Sequence, residues 1–226
     1  MGQNGAEARR CRGRPQVRSD DDTLALIVDA AAEEFQANGF AATTMGAVAQ
    51  RAGISTKTMY RLIPCKADLF KSVIAKRIGR FMLDFDTTAL NAANIEQGVE
   101  HILLTFGNLT LDKETIALVR LVISESDRFP ELAATFHHVA VVQTTNAIVR
   151  WLEQQRDSGL LQFDDVQAAA TALRGMMTMD LQRTAMLRLT EAPTPEEIAA
   201  RARFCAKLFL DGCKVREKAR VSSRVG

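Results

Sequence analysis

Cysteine and the large aromatic residues are scarce in this chain of 226 residues, which has four Cys, one Trp and one Tyr. The cysteines lie far apart, with no C-x-x-C pair and no histidine at ligand spacing; they are Cys11, Cys65, Cys205 and Cys213. This spacing argues against a disulfide framework or a zinc cage. We therefore expect reduced thiols, with Cys205 and Cys213 buried on one helix face.

Long apolar runs are absent as well. No stretch reaches the ~18 uninterrupted apolar residues that a membrane span requires. The N-terminus is polar and Arg-rich, without the apolar stretch of a secretory signal. The sequence therefore predicts a cytoplasmic protein that does not contact membranes.

Catalytic and metal-binding motifs are missing too. The chain has no nucleophile elbow, P-loop, dinucleotide fingerprint or metal-ligand pattern. The pair His137-His138 does not have the spacing of metal ligands. We accordingly expect no enzyme activity, no cofactor and no metal site.

Charge is unevenly distributed along the chain, although the formal net charge is only +2. Residues 1–80 hold 13 Lys and Arg against 8 Asp and Glu, residues 81–213 hold 11 against 18, and residues 214–226 hold 5 against 1. A basic N-terminal part beside an acidic body indicates that one end meets a polyanion while the other has a different task.

The apolar residues recur at steps of three and four from Asp20 onward, and no alternating β-type run is sustained. This period predicts an all-α fold. Helices are predicted at about 22–38, 45–52, 56–63, 65–86, 95–110, 113–128, 130–158, 165–189 and 195–213. Gly39 is expected to stop the first helix, and Thr194-Pro195-Glu196-Glu197 predicts a capping box at the last.

The segment AGISTKTMYRLIPCKADLF, residues 52–70, predicts the second helix of a helix-turn-helix, with Gly53 in the tight turn. Met59, Leu62 and Ile63 share one apolar face, so Lys57, Thr58 and Arg61 lie opposite. That opposite face is narrow enough for a DNA major groove, where Arg and Lys pair with guanine or phosphates. A plain solvated helix face is the alternative.

Residues 27–70 resemble the DNA-binding domain of the TetR family of transcriptional repressors. The resemblance is carried by a Gly-aromatic pair, Thr-Thr, Ala-Gly-Ile-Ser, a Tyr five residues later, and Pro-x-Lys-x-x-Leu-Phe. It implies that Thr44 caps the second helix and touches a phosphate, and that Ser55 caps the recognition helix. It further implies that Thr56, Lys57, Thr58 and Arg61 approach bases or phosphates, and that Tyr60 and Lys66 hold the DNA backbone.

Three positions depart from the family pattern. Ala47 stands where an acidic residue is frequent, Ile63 replaces a frequent aromatic residue, and Cys65 replaces the usual capping Ser. A thiol at a helix N-terminus beside Lys66 can be reactive, so the sequence leaves open whether Cys65 is redox-active.

The N-terminal segment RCRGRPQVR, residues 10–18, resembles the Arg-Gly-Arg-Pro core of an AT-hook. Such a core places Arg12 and Arg14 in a narrow A·T-rich minor groove, whose negative potential attracts them. A generic basic tail is the alternative. The predicted organisation is a disordered arm at 1–19, a DNA-binding domain at 20–66, a ligand-binding and dimerisation domain at 67–213 and a basic tail at 214–226.

The body is similar to the C-terminal domain of AefR-like members of the family, through Arg120, Glu125, the run 129–132 and Asp180. The similarity implies a ligand cavity and a four-helix dimer interface formed by the last two helices of each subunit. A seam of Ile198, Ala202, Cys205 and Phe209 independently predicts close helix packing at that interface. Candidate cavity residues are Phe106, Phe136, Met176, Met177, Met179 and Asp180, with ordinary core packing as the alternative. Asp180 is expected to pair with Arg174, Arg183 or a ligand.

The sequence therefore predicts a homodimeric regulator that binds a pseudo-palindromic double-stranded operator and is released by a small molecule. Two recognition helices reading such an operator require a dimer. The alternative is an architectural DNA-binding protein that uses its basic arm with little sequence preference. The effector, the operator and the direction of regulation stay open.

Overall fold

The computed structural model describes residues 18–89 and 94–213. Its N-terminal part contains α1 Asp20–Ala42, α2 Met45–Arg51, α3 Thr56–Leu62 and α4 Lys66–Ala89. The body contains α5 Ile95–Thr110, α6 Lys113–Glu125, α7 Pro130–Phe136, α8 Gln143–Asp157, α9 Val166–Met186 and α10 Pro195–Cys213. A π-helical segment, His137–Val142, joins α7 to α8. The predicted all-α class is confirmed, since no strand occurs in the described ranges.

Side-chain caps start most of these helices where the sequence places a short polar residue. Ser19 accepts a hydrogen bond from the Asp22 N–H at the start of α1, and Asp165 caps α9 in the same way. At α10, Glu197 Oε2 accepts from the Thr194 N–H at 2.8 Å, and Thr194 Oγ1 accepts from the Glu197 N–H at 3.3 Å. The predicted capping box is confirmed, and it satisfies amides that have no partner inside the helix.

Two predicted boundaries differ from the structure. Gly39 bends α1 rather than ending it, and the helix resumes for a last turn to Ala42. The single helix predicted at 130–158 is interrupted by the π-helical segment. Each irregularity is confined to a few residues, so the periodicity over the whole helix did not reveal it.

The described chain has two apolar cores that share α4. Leu69, Phe70 and Val73 on the N-terminal half of α4 pack with α1, α2 and α3, and with Val122 and Leu132 of the body. Phe81 and Phe85, further along α4, pack into the second core with α5, α8, α9 and α10. Helix α4 is therefore one rigid element that belongs to both cores.

Close packing of α5 against its neighbours depends on Gly107. A Cβ at this position would lie 2.9 Å from Ile198 Cγ2 of α10 and would also collide with the end of the Met177 side chain of α9. A side chain at this position would therefore force its neighbours, Ile198 above all, to move. The inner face of α10 therefore lies directly against α5.

The inner face of α10 corrects one prediction from the sequence. Ile198, Ala202, Cys205 and Phe209, the seam predicted for the dimer interface, are all buried in the second core of their own chain. The seam has the predicted helix-packing character, but the helices that it packs against are α5 and α9. Burial also raises the pKa of the Cys205 thiol, as expected for a structural cysteine.

Within residues 18–89 and 94–213, every helix is too short or too polar to cross a membrane.

We predict that Gly39→Ala lowers the free energy of unfolding by about 1–3 kcal/mol, because a φ of 77° with a ψ of 170° is a backbone conformation that only glycine adopts readily. Gly79→Ala, in the exposed helical interior of α4 with open space around the new Cβ, serves as the control. There alanine should stabilise by about 0.5–1 kcal/mol. Urea unfolding of both variants measures the difference, and equal effects of the same sign would contradict the assignment.

Candidate nucleic-acid interface and effector cavity

Helices α2 and α3 form the predicted helix-turn-helix. Thr44 Oγ1 accepts a hydrogen bond from the Ala47 N–H, and Ser55 Oγ accepts one from the Thr58 N–H. Gly53 turns the chain between them with a φ of 67°. Both predicted capping roles are thus confirmed, and each cap fixes the start of a seven-residue helix that would be marginal alone.

The outer face of α3 carries the side chains predicted to approach DNA. Thr56, Lys57 and Arg61 are exposed, and Tyr60 has 54% of its surface exposed. Met59, on the opposite face, is completely buried, which locks the rotation of this short helix. Thr58 is half-buried, and its hydroxyl lies 2.9 Å from that of Ser55.

An ion pair holds the Arg61 guanidinium in the absence of DNA. Its Nη1 and Nη2 donate to the two carboxylate oxygens of Asp20 at 2.7 and 2.6 Å. The hydrogen bonds from Arg61 hold the pKa of the Asp20 carboxyl below its ordinary value. Both side chains are exposed, and pairs of this kind exchange readily for other anions. Arg61 is therefore pre-oriented rather than locked.

A second ion pair orients α2 on α1. Glu34 is buried, and its carboxylate accepts hydrogen bonds from Arg51 Nε and Asn38 Nδ2, both at 2.7 Å. The bond from Arg51 is the main cause that lowers the pKa of Glu34. Arg51 also contacts Glu33. This pair was not predicted from the sequence, although the acidic residue next to Phe35 in the apolar stripe of α1 was a signal for it.

The predicted role of Lys66 needs correction. Its ammonium donates to the carbonyls of Phe40, Thr43 and Ala41 at 2.7, 2.9 and 3.3 Å, and it lies 4.5 Å from the centre of the Phe40 ring. An ammonium has three N–H donors, so in this conformation none remains for a phosphate. Burial lowers the pKa of Lys66, because it removes the ammonium from water. Lys66 thus fixes the chain that leads into Thr44.

Phe40 connects the helix-turn-helix to the body, and we call its surroundings the Phe40 junction. The ring packs on Phe35, Phe70 and Phe129 with centroid distances of 5.5, 5.7 and 5.1 Å. Glu125 at the end of α6 accepts a hydrogen bond from the Ala41 N–H at 3.2 Å. Helices α1 and α4 therefore meet two elements of the body, the end of α6 and the segment before α7, around Phe40.

Two further predictions concern the basic segments at the chain ends and Cys65. Arg12 and Arg14 lie outside the described residues, as does the basic tail 214–226. Cys65 is exposed at the start of α4, and its thiol donates to Asp68 Oδ2 at 3.1 Å.

A small cavity lies in the body between α4, α5, α6 and α9, and we call it the α4–α9 cavity. Its volume is about 150 Å³, and its wall is mostly apolar. Phe106 and Phe136 line it, as predicted. Its wall also includes Ile74, Ile78, Leu118, Ala140, Val141 and Arg174. The wall thus includes part of the π-helical segment.

The other four residues predicted for the cavity lie elsewhere. Met177 is fully buried in the second core, and Met176 packs at its edge. Met179 has 62% of its surface exposed, and Asp180 is exposed and pairs with Arg183 at 3.1 Å. Consecutive helical residues point about 100° apart, so a run of methionines cannot all face one cavity. Arg174 of α9 lines the cavity, although it was not predicted to do so.

A wider cleft of about 900 Å³ lies between α1, α4 and α5. Its walls are charged, and Lys76 pairs with Asp29 across it at 2.6 Å. Arg77, between this cleft and the α4–α9 cavity, contacts Asp112, Glu114 and Thr115. In the described part of the chain, no group of His, Cys, Asp or Glu side chains is arranged to hold a metal ion.

Two family models match the sequence. Residues 27–73 match the model described as bacterial regulatory proteins of the TetR family, and residues 97–212 match the AefR-like transcriptional repressor C-terminal domain. None of the curated proteins matches significantly.

Solved structures resemble the whole described chain. A protein from Mesorhizobium loti assigned to the TetR family superposes with a TM-score of 0.77 at 23% identity, over 88% of this chain and 100% of that one. The flavonoid-responsive regulator FrrA gives a TM-score of 0.68 at 30% identity, over 87% and 100%. FadR from Bacillus subtilis, solved with stearoyl-CoA, gives 0.68 at 19% identity, over 83% and 98%.

We predict that Lys66→Met lowers the free energy of unfolding by about 1–3 kcal/mol, because three carbonyls lose a charged donor. It should weaken binding to every DNA sequence and leave the dependence on salt unchanged. Lys57→Met, the control on the exposed face of α3, should leave stability unchanged and reduce the slope of log K against log [salt] by about 0.9. Thermal melting and titrations of one fixed duplex at several salt concentrations measure both. A reduced salt slope with unchanged stability for Lys66→Met would show instead that Lys66 contacts the phosphate backbone.

Proposed function

The chain belongs to the TetR family of bacterial regulatory proteins, and on that basis we propose that it is a repressor that leaves its operator when a small molecule binds in the body. Regulators of this family bind DNA and are not enzymes. The observation that carries the proposal is the outer face of α3, which presents Lys57 and Arg61 on a doubly capped helix-turn-helix.

The chemistry of that face suits a DNA major groove. Lys57 and Arg61 supply charge for phosphates or guanine, while Thr56 supplies a hydroxyl and a methyl group. Arg61 can exchange the Asp20 carboxylate for a guanine edge or a phosphate, since both bind a guanidinium through two parallel hydrogen bonds. Base contacts then specify the sequence, and Tyr60 together with Thr44 contacts the backbone.

Dimerisation pairs two such faces, and the surface left open by the body favours a specific interface. The outer face of α10 exposes Phe204 and Leu208, with 57% and 50% of their surfaces free and one helical turn between them. The neighbouring helix α9 exposes Met179 and, about two helical turns earlier, the smaller Ala172. Exposed apolar residues on two adjacent helices fit a four-helix interface with a second copy. This face replaces the buried seam predicted from the sequence.

The position of the α4–α9 cavity supports the proposed release by a small molecule. Ile74 and Ile78 line it from α4, the helix that begins at Lys66 at the end of the DNA-binding domain. Leu118 lines it from α6, the helix that ends at Glu125 in the Phe40 junction. A molecule that fits the cavity better in one arrangement of these helices favours that arrangement, and with it one orientation of the DNA-binding domain. FrrA, the 30% identical relative, is likewise responsive to a small molecule.

We predict that selection from random duplexes yields a pseudo-palindromic operator bound about 10³-fold or more tightly than random DNA. Arg61→Ala should relax the preference at one base pair of each half-site, whereas Asp20→Asn keeps Arg61 and should bind DNA more tightly. Equal losses on operator and random DNA for Arg61→Ala would remove its base-reading role. An operator ratio near one would favour the architectural alternative.

We predict that Phe204→Glu combined with Leu208→Glu makes the protein monomeric, because four buried carboxylates would meet at the proposed interface. Ile123→Glu is the control, since it places a carboxylate at a 61% exposed apolar residue on α6, which is not one of the two helices of the proposed interface. Light scattering during size-exclusion chromatography measures the mass. A dimer that survives the double substitution would move the interface elsewhere.

A further inference from the structure

The α4–α9 cavity contains a cation without a counter-ion. Arg174 of α9 lines the cavity, and its guanidinium lies 5.1 Å from the centre of the Phe106 ring. Its Nη1 donates to Thr145 Oγ1 at 2.6 Å. Its buried Nε has no hydrogen-bond partner among the described residues, and none of their carboxylates lies within ion-pair distance.

This isolation is unusual for a guanidinium that is partly buried and whose Nε is fully removed from solvent. An arginine has five N–H donors, and a buried charge is costly unless it is paired. Burial accordingly lowers the pKa of Arg174, although an arginine stays protonated. Arg77, the other arginine of the same wall, contacts two carboxylates and a hydroxyl. The fold therefore neutralises one cation of this cavity and leaves the other available.

The surroundings of Arg174 hold it in place rather than neutralise it. Thr145, which accepts from Arg174, donates in turn to the Val141 carbonyl at 2.6 Å. Val141 belongs to the π-helical segment, and both Val141 and Ala140 line the cavity. π-Helical turns are frequent where a helix is adapted to a site. Here the irregular turn and the threonine together fix the guanidinium against the Phe106 ring.

From these contacts we propose that the effector is a small organic carboxylate whose anionic group pairs with Arg174 and whose apolar body fills the remainder of the α4–α9 cavity. The planar guanidinium matches a carboxylate through two parallel hydrogen bonds. Phe106 and Phe136 provide aromatic surface for the body of the ligand. A cavity of about 150 Å³ is the size that accepts benzene in an engineered protein, so one ring or a short branched chain fits.

This inference rests on the proposed function, since it identifies the ligand of the same effector site. The test is isothermal titration of the full-length protein, without DNA, with benzoate, phenylacetate and 3-phenylpropionate. Each acid is compared with its uncharged amide, and phenyl phosphate is included as a second oxyanion. We expect at least one acid to bind ten-fold or more tightly than its amide.

Arg174→Met separates the ion pair from the shape of the cavity, because methionine is apolar and adapts to the space. The variant should lose the preference for the acid and keep the affinity for the amide. Its melting temperature without ligand should equal or exceed that of the wild type, since an unpaired buried charge is removed. Arg183→Met, on the same helix but exposed and paired with Asp180, should behave as wild type.

The outcomes distinguish the two proposals. The carboxylate inference is overturned if no acid binds more tightly than its amide, if phenyl phosphate is preferred to every acid, or if Arg174→Met keeps the preference. It is also overturned if Arg174→Met melts well below the wild type, because Arg174 would then be structural. Acids that bind through Arg174 and leave the operator complex intact support the anion site and refute release by this ligand.

Discussion

The orientation of the DNA-reading helices depends on the packing of one aromatic side chain. Phe40 follows the bend at Gly39, contacts three other phenylalanines and lies under the Lys66 ammonium. Lys66 in turn binds the carbonyls that precede the Thr44 cap. Because the recognition helix has only seven residues, it cannot define its own orientation. The Phe40 junction supplies that orientation and connects it to the body through Phe129 and Glu125.

The same junction explains how a cavity in the body can influence a distant DNA contact. Helix α4 passes the cavity wall at Ile74 and Ile78 before it reaches the body core, and α6 passes it at Leu118. Packed cores do not deform continuously, so a filled cavity selects among discrete arrangements of these helices. In the proposed release mechanism, thermodynamic linkage requires that operator DNA weakens the affinity for the ligand by the same factor by which the ligand weakens the affinity for DNA.

The helices, their caps and the helix-turn-helix could be predicted from the sequence because each depends on residues close together in the chain. The capping roles of Thr44 and Ser55 and the capping box at Thr194 follow from local spacing. The roles of Lys66, Glu34 and Arg174 depend on partners 17 to 29 residues away. Periodicity also shows that α10 has an apolar seam, but it does not show which neighbour covers it. The structure identifies the neighbour as α5, through the close packing of Gly107 against Ile198 of α10.

The most direct test is the distance between spin labels on the two recognition helices of a dimer. Labels at Thr56→Cys, with Cys11 and Cys65 replaced by serine, report that distance in wild type and in Phe129→Leu, whose changed side chain lies in the body and packs on Phe40. The account predicts one narrow distribution, about one DNA turn or ~34 Å with operator bound, and a broad distribution in Phe129→Leu without DNA. Identical distributions in the two proteins would contradict it.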